Sequence, residues 1–322
     1  ALGAFAPERP GPTRDDLATL LARGVAQRTA VRYRCPSEDE LRLFEAAFAA
    51  LLPGASSDLS GRAVAALRRL GFEVVGGRGW LAVRERAGCA RGAGIYVLRR
   101  VRASERGVLV LQAPHRFFDE GTGRLARALF AAGVGDLLML NTVHRHAVRG
   151  EGGSDLAHAE RSFFQAATRA VTARSPRGVV LQLHGFSAAR HRGLSRGSAV
   201  LSAGTRSADA PTLRLLTRLR RVFAPRSVGL YGREVRTLGG TSNVQGRWVR
   251  SRAGWHFVHL ELESALRRDL LASKALRSGL ERAIRGALGG EPTGPSSGVT
   301  VGGDVPSAAG EGLAMGRKGE RR

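Results

Sequence analysis

Histidines and acidic residues stand where three apolar segments of the chain end. His115 and Asp119 follow GVLVLQAP, His184 ends GVVLQLH, and Glu261 lies in WHFVHLEL. Two histidines and a carboxylate can hold one zinc ion per chain with a coordination position left open, and a further carboxylate can act as general base for water. The pattern indicates the site of a metallohydrolase.

Several of these roles have competitors in the sequence. Asp119 is the predicted acidic ligand, although an acid here would also suit the dipole of the next helix, and Glu120 is the reserve ligand. His184 is predicted to be a ligand rather than a buried structural histidine, because a second histidine with an adjacent carboxylate accompanies it. Glu261 is the predicted general base, since a carboxylate in an apolar strand needs a partner, a metal or a role in proton transfer. Glu263 has the same strand parity and competes for that role.

The elements that must position these residues alternate between strands and helices. Near-continuous apolar strands separated by helices indicate a sheet covered on both faces, a three-layer α/β/α fold with a mixed, mostly parallel central sheet. In such sheets, ligands bind beyond the carboxyl ends of the strands, where His115 and His184 are expected to meet. The predicted strands lie at 95–101, 107–113, 136–142, 178–184, 199–204, 228–232 and 255–262, and the predicted helices at 123–132, 159–174, 211–223 and 272–287.

The rhythm of the chain suggests four segments. Residues 1–30 are expected to be a flexible N-terminal segment, and residues 31–92 a small α+β unit with helices at 38–52 and 60–70 and a strand pair joined by the turn GGRG. Residues 93–288 are expected to be the metallohydrolase domain. Residues 289–322 are rich in Gly, Pro, Ser and charge without an apolar period, which is typical of a disordered tail.

The net charge of +24 raises the possibility of a basic binding protein. Almost all of the positive charge is Arg, with Lys only at Lys274 and Lys318, and the arginines are scattered along the chain. Aromatic residues make up 6% of the chain and do not alternate with basic residues, which argues against a nucleic-acid surface. An anionic substrate suits the charge equally well. The alternative hypothesis is a non-catalytic binding protein for nucleic acid or an acidic polymer.

The compartment is left open by the sequence. The chain starts at Ala1 with a small, proline-containing segment, which favours a periplasmic or secreted protein over a cytoplasmic one, unless the sequence was simply trimmed. Cys35 and Cys89 allow one disulfide without requiring it. No run approaches the roughly 18 apolar residues of a membrane-spanning helix.

Three segments, APHRFFDEGTG, LHGF and VHLELESALR, resemble the zinc-dependent carboxypeptidase-like amidohydrolases, in particular the branch with N-formylglutamate amidohydrolases and phage-type poly-γ-glutamate hydrolases. The resemblance covers about residues 93–287. It implies that His115, Asp119 and His184 bind zinc, that Glu261 activates water, and that the sheet has eight strands in mixed directions. In the best-known form of the first motif two residues separate the histidine from the acid, whereas three separate His115 from Asp119.

The resemblance implies hydrolysis of an amide bond, with zinc polarising the carbonyl and Glu261 passing a proton from water to the leaving nitrogen. Arg145 is expected to steady the oxyanion, and Asn243 and Arg247, on predicted loops, to contact the substrate, although exposed arginines are common in this chain. The substrate expected for a basic protein is an anionic N-acyl amino acid, γ-glutamyl chain or peptide. A second metal site built from His144 and His146 of the HRH motif is a weaker alternative, and His158 is expected to be an ordinary loop histidine.

Overall fold

The structure of the protein is a computed structural model that describes residue 17 and residues 19–21, 32–53, 57–77, 79–100 and 107–289. Most of the predicted N-terminal segment, and the predicted tail beyond residue 289, lie outside the described residues. Within those ranges, none of the helices combines the length and apolar character needed to cross a bilayer.

From residue 32 on, the described residues form nine strands and eight α-helices, and residues 17 and 19–21 before them are also helical. The strands are β1 Phe72–Gly77, β2 Trp80–Glu85, β3 Ile95–Arg99, β4 Val108–Ala113, β5 Leu137–Leu140, β6 Gly178–Phe186, β7 Ala199–Ser202, β8 Val228–Leu230 and β9 Trp255–Glu263. The helices are α1 Glu38–Ala49, α2 Ser57–Arg69, α3 Thr122–Ala131, α4 Phe163–Arg174, α5 Ala210–Phe223, α6 Val244–Arg250, α7 Ser264–Ala272 and α8 Lys274–Leu288.

Two helices differ from the sequence prediction. The glycine-rich stretch Gly239–Gly246, read as a loop, contains the start of α6, because the side chain of Asn243 accepts a hydrogen bond from the Gly246 N–H at 2.8 Å and caps the helix. The helix predicted over 272–287 is α8, and α7 precedes it directly. Ser273 separates the two helices and caps α8 by accepting from the Leu276 N–H at 3.2 Å.

All nine described strands belong to one sheet, in the order β1-β2-β3-β5-β4-β6-β9-β7-β8. The neighbours β5/β4, β4/β6, β6/β9 and β7/β8 are parallel, and the other four neighbour pairs are antiparallel. The predicted mixed sheet is confirmed; three of its four parallel pairs adjoin one another in the centre, and the fourth, β7/β8, lies at one end. A central parallel sheet places the carboxyl ends of β4, β6 and β9 at one edge.

Helices cover both faces of the sheet, which gives the predicted three-layer α/β/α fold. One face packs against α3, α5, α7 and α8, through side chains such as Leu129, Leu219, Leu266 and Ile284. The other face packs against α1, α2, α4 and α6, and contains a cluster of aromatic rings around Phe44. Burial of these apolar side chains on both faces is the main stabilising contribution to such a fold.

The segment predicted as a small N-terminal unit shares the sheet and the core of the rest of the chain. Strands β1 and β2 form a hairpin whose second strand pairs with β3. Phe44 and Phe48 of α1 contact Tyr96 of β3 at ring-centroid distances of 5.5 and 5.3 Å. The segment therefore extends the main sheet at the edge far from β9.

Candidate metal centre

Two neighbouring parallel strands, β6 and β9, bring four polar side chains together near their carboxyl ends. In the register of this pair, Gln182 lies opposite His259, and His184 lies opposite Glu261. Residues two apart on a strand point to the same face. The four side chains therefore lie side by side on one face of the sheet. It is the face covered by α1, α2, α4 and α6, because the apolar residues of the same strand parity pack against those helices.

The loop after β4 places His115 and Asp119 next to these four side chains. Asp119 Oδ2 is 3.2 Å from His184 Nδ1 and 3.7 Å from His115 Nδ1, and all three side chains are buried. A tetrahedral zinc ion with bonds of about 2.1 Å keeps its ligand atoms about 3.4 Å apart. The two observed distances lie on either side of that value, so the donor set fits a zinc ion.

The contacts of His115 show which of its nitrogens is free to bind a metal. The Arg145 guanidinium, which can only donate, lies with Nη1 3.1 Å from His115 Nδ1. Nδ1 is therefore the acceptor, and Nε2 carries the hydrogen and donates it to Asp155 Oδ1 at 2.7 Å. The lone pair on Nδ1 faces the same space as the Asp119 carboxylate.

Both histidines are held at the nitrogen away from Asp119. His115 Nε2 bonds to Asp155, and His184 Nε2 lies 2.7 Å from Gln182 Oε1. Oxygen acceptors at the far nitrogen orient metal-binding histidines and set their tautomer. The potential ligands His115 and His184 thus each have an oxygen acceptor at the nitrogen away from Asp119, as the outer partners of a metal site would provide.

The charge states of His115 and Asp119 suit a cation, and the pKa of His184 reflects the carboxylates beside it. Burial lowers the pKa of His115 to about 4, against the opposing effect of its hydrogen bond to Asp155. Burial raises the pKa of Asp119, but the hydrogen bond and charge of His184 outweigh it and hold the pKa below its usual value. Burial lowers the pKa of His184. The hydrogen bond to Asp119 and the charge of Glu261 raise that pKa by more than burial lowers it, so the net shift is upward.

Glu261, opposite His184 in the register of β6 and β9, is a buried carboxylate with a raised pKa. Burial raises its pKa to about 7, opposed by the charge of His184 and reinforced by that of Asp119. Its Oε1 lies 3.8 Å from His259 Nε2, and its buried Oε2 has no hydrogen-bond partner among the described residues. A buried carboxylate oxygen without a partner is costly, which points to a metal ion, water or substrate as the missing partner.

The competitors of Asp119 and Glu261 have other contacts. Glu263 caps α7, and its carboxylate accepts from the N–H groups of Ala265 at 2.6 Å and Gly197 at 2.9 Å. Glu120 is exposed, and its backbone carbonyl accepts from Arg267 Nε at 2.7 Å. The structure brings neither carboxylate into the cluster of His115 and His184.

The two predicted substrate contacts are engaged within the protein. Asn243 is buried, and its amide accepts from the Gly246 N–H and donates to Gln182 Oε1, so neither end is available to a substrate. Arg247 lies on α6 and forms an exposed ion pair with Glu160, Nη2 to Oε1 2.7 Å. In a sequence, a residue that caps a short helix cannot be told from a polar loop residue. Asn243 was therefore predicted to lie on a loop and to contact the substrate.

The remaining histidines of the predicted loop separate into two groups. His144 and His146 are exposed and contact the Phe118 ring, at centroid distances of 5.9 and 5.1 Å. His158 Nδ1 lies 3.1 Å from Asp155 Oδ1, so the potential ligand group here is His115, Asp155 and His158 rather than the pair His144 and His146.

Three polar residues of the site were not singled out from the sequence: Asp155, Gln182 and His259. Gln182 and His259 each stand two residues before a predicted site residue in an apolar strand, so the parity argument that made Glu263 a competitor of Glu261 could have found them. His259 is enclosed by the backbone, because a Cβ at Gly240, where φ is +60°, would lie 2.7 Å from its ring. Asp155 lies in a glycine-rich loop that has no such signal.

One buried arginine joins the segments that carry the cluster. Arg267 of α7 donates to the carbonyls of Glu120, Phe186 and Leu262, each one or two residues beyond Asp119, His184 or Glu261. The guanidinium lies against Gly185, where any side chain would overlap it. Arg267 therefore fixes the spacing of the three segments through their backbones.

The fold and the site define an α/β protein with a cluster of potential metal ligands at the carboxyl edge of its sheet. Three solved structures give the measure of its similarity to known proteins. A bacteriophage poly-γ-glutamate hydrolase is 14% identical, with 63% of this chain and 90% of that chain covered and a TM-score of 0.41. Carboxypeptidase A from Helicoverpa armigera is 12% identical, with 85% and 80% covered and a TM-score of 0.40. A succinylglutamate desuccinylase from Chromobacterium violaceum is 18% identical, with 67% and 68% covered and a TM-score of 0.37.

No family model and no curated protein matches the chain. The solved structures include proteins of the kind that the sequence motifs resemble. At these TM-scores the matches decide nothing about the site, so its chemistry follows from its own geometry.

Proposed function

We propose that the protein is a zinc-dependent hydrolase that cleaves an amide bond with activated water. The observation that carries the proposal is the convergence of His115, His184 and Asp119, which each offer one ligand atom within 4.8 Å of the others, beside the unpartnered Oε2 of Glu261. His115, Asp119 and His184 would hold one zinc ion. Bound there, zinc would supply a Lewis acid that polarises the scissile carbonyl and lowers the pKa of water.

Glu261 is the proposed general base. It accepts a proton from the attacking water and donates it to the leaving nitrogen, so that an amine departs and a carboxylate forms. A pKa near 7 suits a group that must both take up and release a proton near neutral pH. The buried position of the carboxylate excludes bulk water from this transfer.

Arg145 is the proposed stabiliser of the oxyanion. Its side chain is about one-fifth exposed, it is bonded to Asp155, and its Nη1 donates to His115 Nδ1. When that lone pair binds zinc, Nη1 becomes available to a substrate oxygen that gains negative charge. Donors aimed at developing charge are a large contribution to catalysis in such sites.

The proposed substrates are anionic: an N-acyl amino acid, a γ-glutamyl chain or a peptide. The net charge of +24 supports this, since a positive protein attracts anions and raises their rate of encounter. The choice between small and polymeric substrates is left to a screen that contains both.

Metal content tests the proposal. Purified protein incubated with zinc should hold about one zinc per chain by elemental analysis, and His115→Ala and His184→Ala should each lose it. N-acyl amino acids and γ-glutamyl polymers are then screened for amine release, with Glu261→Gln as the inactive control. Absence of zinc in the wild type would contradict the hydrolase and favour a basic binding protein, whose affinity for polyanions should fall steeply with salt.

A further inference from the structure

We propose that Gln182 and Asn243 are positioning residues that keep a proton on Nε2 of His184, so that Nδ1 is the nitrogen left to bind zinc. The inference rests on the proposed function and deepens it. It concerns the side of the imidazole that faces away from Asp119, where His184 meets a buried group of amide side chains.

Gln182 is at the centre of this group. Its Oε1 lies 2.7 Å from His184 Nε2 and 2.5 Å from Asn243 Nδ2. Gln182, Asn243 and His184 are at most 5% exposed, so water does not compete for these bonds. The direction of each hydrogen bond can be assigned because this network of amide side chains ends at backbone groups. A backbone N–H can only donate a hydrogen bond, and a backbone carbonyl can only accept one.

The first chain of bonds starts at helix α6. The Gly246 N–H donates to Asn243 Oδ1 at 2.8 Å, so the NH₂ end of Asn243 faces Gln182. The atom of Gln182 that meets this NH₂ group is an acceptor, Oε1. His184 Nε2 meets the same oxygen and must therefore be the donor. The backbone N–H of Gly246 thus determines, through three successive hydrogen bonds, which nitrogen of His184 carries the proton.

A second chain confirms this orientation of Gln182. The Leu156 carbonyl, which only accepts, receives a hydrogen bond from Gln245 Nε2 at 3.0 Å. Oε1 of Gln245 is therefore left to accept from Gln182 Nε2, at 3.3 Å. The NH₂ end of Gln182 is directed to Gln245, and its oxygen to His184.

A third chain gives the same result from strand β4. The Thr168 hydroxyl donates to the Phe164 carbonyl at 3.0 Å and accepts from Gln112 Nε2 at 3.0 Å. Oε1 of Gln112 then accepts from Gln182 Nε2 at 2.8 Å. If the oxygen and the nitrogen of the Gln182 amide changed places, a donor would face the NH₂ group of Asn243. An acceptor would then face the Oε1 atoms of Gln245 and Gln112.

The consequence for metal binding follows from the two faces of the imidazole. A neutral imidazole has one N–H and one lone pair. In the metal-free protein Nδ1 also carries a proton, which it donates to Asp119 Oδ2 at 3.2 Å, and with the other proton held on Nε2 this is the one that zinc displaces. Without the acceptor at Gln182, the neutral ring can keep its single proton on Nδ1, beside Asp119, where it blocks the zinc position.

Zinc affinity tests the inference with a matched pair of variants. Gln182→Met removes the acceptor for Nε2–H and is expected to weaken zinc binding by about 10–100-fold, measured by competition with a chelator. Gln112→Met makes the same substitution at an equally buried glutamine but leaves the bonds of Gln182 to His184, Asn243 and Gln245. It should retain wild-type affinity. Equal zinc affinities in the two variants would overturn the inference.

Asn243→Asp is a second variant that keeps the helix cap. It replaces the NH₂ group that faces Gln182 by an oxygen and adds a negative charge near the metal. The charge alone would strengthen zinc binding, whereas the loss of the donor that orients Gln182 should weaken it. Weaker binding supports the inference, and unchanged or tighter binding counts against it.

Histidine labelled with ¹⁵N reports on His184 without zinc and without activity. In the metal-free wild type and in Gln112→Met, the Nε2–H signal of His184 should be protected from exchange, and in Gln182→Met it should be lost. A wild type without a proton on Nε2 overturns the inference even if zinc binds. A wild type that binds no zinc overturns the proposed function, and the Nε2–H signal still decides whether Gln182 fixes the proton.

Discussion

At the scale of single residues, the two proposed histidine ligands differ in the group that holds their far nitrogen. His115 Nε2 bonds to the carboxylate of Asp155, and His184 Nε2 bonds to the neutral amide of Gln182. A carboxylate makes the imidazole that bonds to it more basic than an amide does. His115 is therefore the ligand whose affinity for a cation depends most on its outer partner.

Asp155→Asn should lower zinc affinity by about 10–100-fold, because it removes the charge that raises the basicity of His115 but retains an acceptor oxygen. Chelator competition measures the effect. Glu160→Gln, which removes a negative charge from the same region at an exposed ion pair with Arg247, is the control and should bind zinc as the wild type does. A similar loss in both variants would show that general electrostatics, and not the bond to His115, sets the affinity.

Glu261→Gln should lower kcat by about 10²–10⁴-fold and leave zinc content at the wild-type value, because the amide cannot accept the proton of water. Amine release from the best substrate of the screen and elemental analysis of the same sample measure the two quantities. A variant that keeps its activity would exclude Glu261 as the base, and one that loses zinc would place Glu261 among the ligands instead.

The sequence was sufficient to select the residues that the structure brings together, since His115, Asp119, His184 and Glu261 all follow or close apolar strands. It was not sufficient for Asp155 and Gln182, because their roles depend on which atoms they face across the fold. The same limit applies to Asn243, whose polar ends are engaged by Gln182 and by the backbone of α6.

At the scale of elements, the carboxyl end of β9 serves two purposes. Glu261 faces the cluster, and Glu263, two residues on, caps α7 with hydrogen bonds from backbone N–H groups and from the Ser264 hydroxyl. Burial raises the pKa of Glu263, but these bonds outweigh it and lower the pKa to about 2. The ionised carboxylate therefore contributes to the stability of the strand-to-helix junction.

Glu263→Gln should lower the free energy of unfolding at pH 7 by about 1.5–3 kcal/mol, the range for hydrogen bonds to a charged group. The folded pKa of about 2 lies below the unfolded value of about 4.3, so the contribution is complete above about pH 5 and is lost as the pH falls toward 2. Urea unfolding across this range should show the difference from wild type shrinking. Glu281→Gln, on α8, is the control; a difference that does not change with pH would contradict the assignment.

The strands and most helices were predictable because near-continuous apolar runs and helical periodicity are local signals. The end of the glycine-rich stretch was not, since the cap that starts α6 forms with a single asparagine. The break between α7 and α8 at Ser273 was also missed, because it too depends on a single side chain. Ser273 follows the last residue of α7 and caps α8. The pairing of the hairpin β1–β2 with β3 depends on tertiary contacts that the sequence pattern does not specify.

At the scale of the whole molecule, the proposed metal joins segments that are distant in the chain. Its ligands come from the loop after β4 and from β6, on the helix-covered interior of one face of the sheet. An ion bound there connects parts of the fold that separate on unfolding. Metal binding and folding are therefore expected to be coupled.

Zinc at about 1,000 times its Kd should raise the free energy of unfolding by about 4 kcal/mol, because only the folded chain holds the three ligands in place. Urea unfolding with and without zinc measures this change. His184→Ala, which lacks one ligand, should show little stabilisation at the same zinc concentration. An equal stabilisation of the variant would mean that zinc binds elsewhere.

The hydrogen bonds that Arg267 donates to the segments it joins are accepted by main-chain oxygens. The geometry of these hydrogen bonds does not require particular side chains at positions 119, 184 and 261. Substitutions at those positions can therefore alter the donor set while the three segments keep their spacing. The scaffold is separable from the chemistry it carries, and its metal preference can diverge, in evolution or by engineering, without a change of architecture.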